Sequence, residues 1–423
     1  MKTTFKKSLG LLLTILLIAS YAPLQAQEET PNENYVTVSG VIKDKQSKKK
    51  LEYVNISIPG TTIGTVTNED GEFALKIKDS LHAKKIAISH LGYVSNQIEL
   101  TGSDISGLTV WMTPHSNLLE EVIVRARDPR YIVESAMQKI SANYNPKPSL
   151  LTGFYRETAQ KGRRYINISE AIIDIYKTPY SERSTYNDRV EIFKGRKLLS
   201  QKTNDTLIVK LLGGPNLSIY VDIVKNPEIL LEEESLSYYS FKMEESTTID
   251  NRPQYVISFL PQAILPYSLY YGKLYIDKEH LSFTRAEFNL DLSDRNKATQ
   301  AILKKKPYKL IFKPQEVSFL VNYKEREGRT YLSYIRNEVH FKCDWKRKLF
   351  STSYSIISEM VVTDAKKENI NPISYKASFK PTESLSDNVS AFIDEDFWGA
   401  YNIIAPTESL ESAVNKLKKQ YKK

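Results

Sequence analysis

One cysteine, Cys343, is all the thiol this chain contains. No intramolecular disulfide can form, so apolar burial must hold the fold together. Histidine is also scarce: His82, His90, His115, His280 and His340 are the five. None starts a His-x-x-Glu or a His-Glu-x-x-His, the spacings that bring two metal ligands together. His90 falls at the inward parity of a strand, which suits a structural imidazole, and Glu279-His280 falls in a turn. There is no Gly-x-Ser-x-Gly elbow for a nucleophilic serine. Gly195-Arg196-Lys197 lacks the upstream glycine of a phosphate loop. The acidic runs Glu232-Glu233-Glu234 and Glu244-Glu245 read as solvated faces. Cys343, within Phe341-Lys342-Cys343-Asp344-Trp345, reads as a small packing residue. These absences predict a non-enzymatic protein without metal or cofactor, and none of the motifs of nucleic-acid binding is there either.

Long apolar runs are missing apart from one at the N-terminus. Lys2, Lys6 and Lys7 precede an apolar stretch from Leu9 to about Ala19, and Pro23-Leu24-Gln25-Ala26 follows. That is the three-part layout of a secretory signal, with cleavage expected after Ala26. The stretch is shorter than the roughly 20 residues of a membrane span. The remainder is predicted to be exported and to carry no transmembrane segment. The formal net charge of +9 falls to about +6 once the three leader lysines are removed. Basic runs at residues 48–50, 304–306 and 418–423 read as solvated turns and a frayed end.

What is abundant is tyrosine, with 27 Tyr against 15 Phe and 3 Trp. Tyr suits half-buried strands and also wet binding surfaces. Alternation is the second abundant signal. Val54, Ile56 and Ile58 share one parity, as do Phe73, Leu75 and Ile77, then Ile86 and Ile88, Ile98 and Leu100, and Leu108 and Val110. Asn68-Glu69-Asp70-Gly71 supplies a tight turn, because Gly tolerates positive φ. Short strands separated by turns predict a small antiparallel sandwich over residues 35–114.

Three stretches of that region carry a resemblance: Gly40-Val41-Ile42-Lys43-Asp44, Gly64-Thr65-Val66-Thr67-Asn68-Glu69-Asp70-Gly71-Glu72-Phe73, and Ile88-Ser89-His90-Leu91-Gly92-Tyr93. They resemble the carboxypeptidase regulatory-like domain, an immunoglobulin- or transthyretin-like sandwich found behind the signal peptide of Bacteroidetes-type envelope proteins. The resemblance implies an interaction module without peptidase chemistry. Residues 115–127 are similar to the segment joining this module to the plug of TonB-dependent receptors. Within them Glu121, Val122, Ile123 and Val124 are expected to offer a strand to an envelope protein partner.

Asp128-Pro129 should start a helix, with Asp capping and Pro at the first position. Ile132, Val133, Ala136, Met137 and Ile140 form its apolar stripe. Strands are then expected at residues 153–158, 165–176, 189–193, 236–243, 255–260, 272–277, 283–291, 317–323, 331–341 and 349–362. Helical segments are expected at 217–225, 294–303 and 409–419. The predicted fold class is thus mainly β: the sandwich, then an antiparallel curved sheet or half-barrel α+β domain over residues 128–423. Residues 272–287 resemble the strand–turn–strand of outer-membrane lipoprotein carriers, which are half-barrels around an apolar cavity. That resemblance implies a cavity lined by Leu274, Ile276, Phe288 and Leu290. Tyr238 and Tyr239, with Tyr267, Tyr270, Tyr271 and Tyr275, could face a lipid or a glycan, or pack across strands. A membrane barrel like that of larger envelope proteins is not expected. The leading expectation is a non-enzymatic binding or scaffolding module at the periplasm or the periplasmic side of the outer membrane; the runner-up is a carrier of an apolar ligand, and a hydrolase is third. An apolar cavity would favour the carrier, and a filled sheet interior the scaffold.

Overall fold

The computed structural model describes residues 34–115, 128–205, 207, 209–211, 213–345, 351–366, 370–391 and 397–421. The predicted leader and the predicted partner strand Glu121, Val122, Ile123 and Val124 lie outside them. The first seven strands are β1 (Tyr35–Asp44), β2 (Asn55–Ser57), β3 (Gly64–Val66), β4 (Glu72–Lys78), β5 (Lys85–Ser89), β6 (Asn96–Glu99) and β7 (Ile105–Met112). They form two small sheets, ordered β4-β1-β7 and β3-β2-β5-β6; against the expectation of an antiparallel sandwich, β1 and β7 run parallel, while the other pairs are antiparallel. Alternation dictates their packing. In β4, Phe73, Leu75 and Ile77 are buried while Glu72, Ala74, Lys76 and Lys78 are only half-buried. These side chains meet Val38 and Ile42 of β1 and Ile56, Ile86 and Ile88 of the other sheet in one apolar cluster. The turn before β4 closes through Asn68, whose Oδ1 accepts from the amides of Asp70 and Glu72, both at 2.9 Å.

The second sheet is built from β8 (Ser149–Lys161), β9 (Arg164–Lys177), β10 (Arg189–Leu199), β12 (Tyr239–Met243), β13 (Thr247–Ile249), β14 (Arg252–Pro261), β15 (Tyr270–Asp277), β16 (Phe283–Leu290), β18 (Leu310–Arg326), β19 (Arg329–Trp345), β20 (Thr352–Lys366) and β21 (Ser390–Ala391). A separate pair, β11 (Lys210–Leu211) and β17 (Leu303–Lys305), completes the strands. The large sheet runs β12-β14-β15-β16-β18-β19-β20-β8-β9-β10-β21, with β13 paired to β14. It is curved and unclosed, and the fold is mainly β. Neighbours are antiparallel except β10 and β21. β18 and β19 reach 17 residues each, beyond the predicted cores; the apolar start of β18, Leu310-Ile311-Phe312, is cut off from the predicted strand by Lys313-Pro314-Gln315-Glu316.

Two segments depart from expectation. The predicted strand at 236–243 opens as a 3-10 turn, Glu234–Tyr238. There the Ser235 and Ser237 hydroxyls donate back to the carbonyls of Glu232 and Glu234, a local bond that competes with a ladder. The predicted helix at 217–225 stops after Tyr220. Beyond it Asp222 is held by the hydroxyls of Tyr180 and Tyr323, each at 2.8 Å. The helix Pro129–Gln138 forms as expected, and the Asp128 carboxylate accepts from the Arg130 amide.

Period-2 alternation divides the large sheet into two faces. Phe154, Ile172, Tyr334 and Val361 point one way and join Val66 of the sandwich with Trp398 and Ile404. Tyr155, Ile173, Ile335 and Met360 point the other way, into a larger core with Ile132, Val133, Ala136, Met137 and Ile140. The sandwich therefore docks on the first face. Tyr53 stacks on Tyr334 with ring centroids 5.9 Å apart. Arg336 reaches Glu69 of the sandwich at 2.7 Å and Glu359 of the sheet at 3.1 Å. Asn402 bridges back to β4 by accepting from the Lys76 amide and donating to its carbonyl.

Candidate functional site

The second face of the large sheet carries a cavity of about 480 Å³. That volume lies within the usual range for a site that takes one small molecule. Tyr270 of β15, Phe288 and Leu290 of β16, Val317 and Phe319 of β18, and Asn337 and Val339 of β19 line it from the sheet. Leu217, Ile219, Tyr220, Val221 and Ile229 cover it, and Ala301 and Ile302 of the helix Arg295–Ile302 close one side. The aromatic wall is ordered: Phe288 and Phe319 stack at 5.0 Å, and Tyr270 meets Phe288 edge-on at 5.4 Å.

Strand register explains why the space lies where it does. One cross-strand row reads Gly272, Phe288, Phe319, Asn337, Ser358, Glu157 and Ser169. Its first half is apolar and its second half polar. The neighbouring row reads Leu274, Ala286, Val321, Ile335, Met360, Tyr155 and Ala171, and all seven are buried in the main core. The cavity lies over the apolar half of the mixed row and ends at Asn337. Gly272 is required at the start of that row: a Cβ there would strike the Glu287 carbonyl and the Phe288 Cα.

The four residues expected to line a cavity therefore divide. Phe288 and Leu290 line it. Leu274 and Ile276 share their face but are fully buried in the packed core. Of the tyrosines, Tyr270 lines the cavity, while Tyr239 packs edge-on against Phe259 at 5.5 Å. Tyr275 takes the opposite parity, with its hydroxyl donating to Glu287 at 3.3 Å. Tyr267 and Tyr271 are exposed. Asn337 was not singled out by sequence. It breaks the apolar parity Ile335, Val339, Phe341, and Glu157 likewise breaks Tyr155, Ala159. A polar residue on an otherwise apolar face was the available signal.

The polar half of the row is incompletely satisfied. Asn337 is 3% exposed, and its Oδ1 has no hydrogen-bond partner. Its Nδ2 donates to Ser358 Oγ at 3.4 Å. Burial pushes the Glu157 carboxyl above its ordinary value, opposed by the Tyr155 hydroxyl 3.2 Å away.

A buried ionic cluster anchors the cover. Lys177 lies 2.9 Å from Asp222 and 3.6 Å from Asp188. Burial disfavours its charge, but the Asp222 and Asp188 carboxylates outweigh that and hold the ammonium above its ordinary range. Lys225 Nζ donates to Thr178 Oγ1 and to the Pro179 carbonyl. Removing one partner of such a cluster costs more than the pair contributes, because a buried charge is left alone.

Arg189, Lys304, Lys380 and Tyr375 also line the cavity. Asp188 is the one acid among the lining residues; besides its contact with Lys177, its Oδ1 accepts from the Thr178 amide at 2.8 Å. Among the described residues, no group of three His, Cys, Asp or Glu could hold a metal ion, and no helix is long and apolar enough to cross a membrane. His90 belongs to the sandwich, and burial, together with Arg285 of the large sheet, lowers its pKa to about 4. Cys343 is buried near Phe312, Phe341 and Tyr354.

A TonB-dependent receptor of Formosa agariphila, receptor P3, is 28% identical over 124 residues, which are 29% of this chain and 11% of the receptor. The TonB-dependent receptor SusC of Bacteroides thetaiotaomicron is 29% identical over 89 residues, 21% of this chain and 8% of the receptor. The chain thus spans about a tenth of the length of these relatives. Among solved structures, a putative outer membrane lipoprotein-sorting protein domain from Vibrio parahaemolyticus aligns with 58% of this chain and 94% of its own, at 14% identity and a TM-score of 0.24. Residues 38–124, which take in the sandwich from β1 onward, match the CarboxypepD_reg-like domain family.

Proposed function

We propose that this chain is an exported envelope protein that binds an apolar ligand in the cavity of its large sheet, with the N-terminal sandwich as a docked interaction module. The observation that carries this reading is the space itself. About 480 Å³ is left open between the aromatic wall and its cover, whereas a purely structural sheet interior would be packed to crystal-like density. Its chemistry is that of an apolar site with a few polar groups, and no catalytic constellation is needed for binding and release. The receptor relatives support an envelope setting, and residues 121–124 remain the proposed partner strand.

The test is native mass spectrometry of protein purified without detergent, followed by titration with an apolar fluorophore. We expect a co-purifying small mass, or saturable uptake of the fluorophore at one site. Val339→Trp, which fills the cavity from β19, should abolish uptake while the protein stays folded. A clean apo mass together with no uptake by the native chain would contradict the reading and return the scaffold to first place.

A further inference from the structure

Two buried side chains in the cavity wall, Asn337 and Asp188, keep an oxygen that receives no hydrogen bond. Their surroundings differ. Asp188 Oδ2 faces the Lys177 ammonium at 3.6 Å, and its Oδ1 accepts from the Thr178 amide and hydroxyl. Asn337 donates from Nδ2 to Ser358 Oγ at 3.4 Å. Its Oδ1 stays unpartnered at the edge of the apolar half of the cross-strand row, beside Phe319.

Which end of this amide faces the cavity follows from the groups behind it. Asn337, Ser358 and Glu157 succeed one another across β19, β20 and β8. Glu157 closes the line as an acceptor. The Tyr155 hydroxyl donates to its Oε2 at 3.2 Å, and the Gly214 amide donates to the same carboxyl. An ionised carboxylate has nothing to donate. Tyr155 has committed its one hydroxyl proton to Glu157, so its oxygen receives the Ser358 proton. Ser358 can then only accept from Asn337, which must turn Nδ2 toward it. Every donor runs one way, toward Glu157, and the amide oxygen is what remains for the cavity.

Building on the ligand-binding reading above, we propose that the cavity selects an apolar molecule carrying a hydroxyl, which donates to Asn337 Oδ1 while its hydrocarbon part lies against Phe288 and Phe319. A ketone or an ether of the same shape offers acceptors only, and its oxygen would face the amide oxygen. A buried group that must be paired discriminates against an analogue lacking the matching group, because the buried atom is again left alone. Ser358 is a positioning residue in this arrangement, acting through the orientation of the amide.

The experiment is competition at pH 8 against the cavity fluorophore. The competitors are tetradecanols with the hydroxyl moved carbon by carbon, each with its matching carbonyl compound and methyl ether. One positional isomer of the alcohol should compete about three- to tenfold better than its ketone and its ether, the worth of one hydrogen bond. Asn337→Leu should erase that preference and keep the affinity for the ether. Ser358→Ala should also keep the ether affinity but bring alcohol and ketone level, because the amide is free to turn over. Equal competition by alcohols, ketones and ethers in the native chain, or a preferred ketone, overturns this inference and leaves the binding reading intact. So does an alcohol preference that survives Asn337→Leu. Failure of the fluorophore and every competitor to bind overturns both.

Discussion

Glu157 on β8 and Glu170 on β9 lie on adjacent strands, one residue out of register with each other, and so point to opposite faces of the large sheet. Their surroundings differ as the two faces differ. Glu170 lies on the face that docks the sandwich. It receives Arg156 at 2.7 Å and Arg196 at 2.8 Å, and Arg156 also donates to the Ile404 carbonyl. Burial opposes its ionisation, yet the two guanidiniums outweigh it and hold the carboxyl below its ordinary value. Glu157 lies on the face of the cavity, with the Tyr155 hydroxyl as a neutral partner, and burial holds it above its ordinary value. The first face holds Glu170 between two guanidiniums. The other leaves Glu157 without a cation and Asn337 with an unpaired atom. A fold that can satisfy Glu170 so completely a few ångströms away does not lack the means. Asn337, with its unpaired atom, stands in the wall of the cavity, which is why we assign that cost to a site.

The comparison can be broken most sharply at Glu170. Glu170→Leu should lower unfolding stability by about 3–5 kcal/mol, because the buried Arg156 would lose its carboxylate partner; urea denaturation measures it. A loss under 1 kcal/mol would mean the two faces are not different in kind. The pH dependence follows from a folded value below the ordinary one. Glu170's contribution is present above its unfolded value of 4.5 and is lost as pH falls through the folded value.

Glu157 should behave in the opposite sense and with a smaller effect. Its folded value lies above 4.5, so the ionised buried carboxylate opposes folding at neutral and higher pH, and acidification relieves that cost. Glu157→Gln should stabilise the protein by about 1 kcal/mol at pH 8, with the gain vanishing near pH 4. A loss of stability at pH 8 would show that a cation reaches Glu157 after all.

The smallest effect concerns Cys343. Burial, followed by the nearby Asp344 charge, pushes its thiol up to about 11. Labelling by a neutral alkylating reagent at pH 8 should be slow in the folded chain and rapid in urea. Fast labelling when folded would mean the cluster around Phe312, Phe341 and Tyr354 opens easily.

Much of this architecture was legible in the sequence. Alternation in Phe73, Leu75 and Ile77 placed the sandwich core, Asn68 to Gly71 placed its turn, and Asp128-Pro129 placed the first helix. The same alternation put Leu274, Ile276, Phe288 and Leu290 on one face. It could not separate them, because parity reports the face and not what lies over each row. Leu274 and Ile276 are covered by packed core, and Phe288 and Leu290 border open space. The closure of the large sheet's middle was equally hidden. β20 pairs with β8 across some two hundred residues of chain, a long-range match that local pattern does not encode. The gathering of Arg189, Lys304 and Lys380 around the cavity was invisible for the same reason, since they meet only in the fold.

The most direct measurement is a crystal structure with a terminally brominated hexadecanoate soaked or co-crystallised, read by the anomalous signal of the bromine. The account expects one strong peak inside the cavity, within van der Waals reach of the apolar wall of Phe288, Phe319 and Leu290. An empty cavity, or peaks confined to exposed apolar side chains such as Ile264, would contradict it.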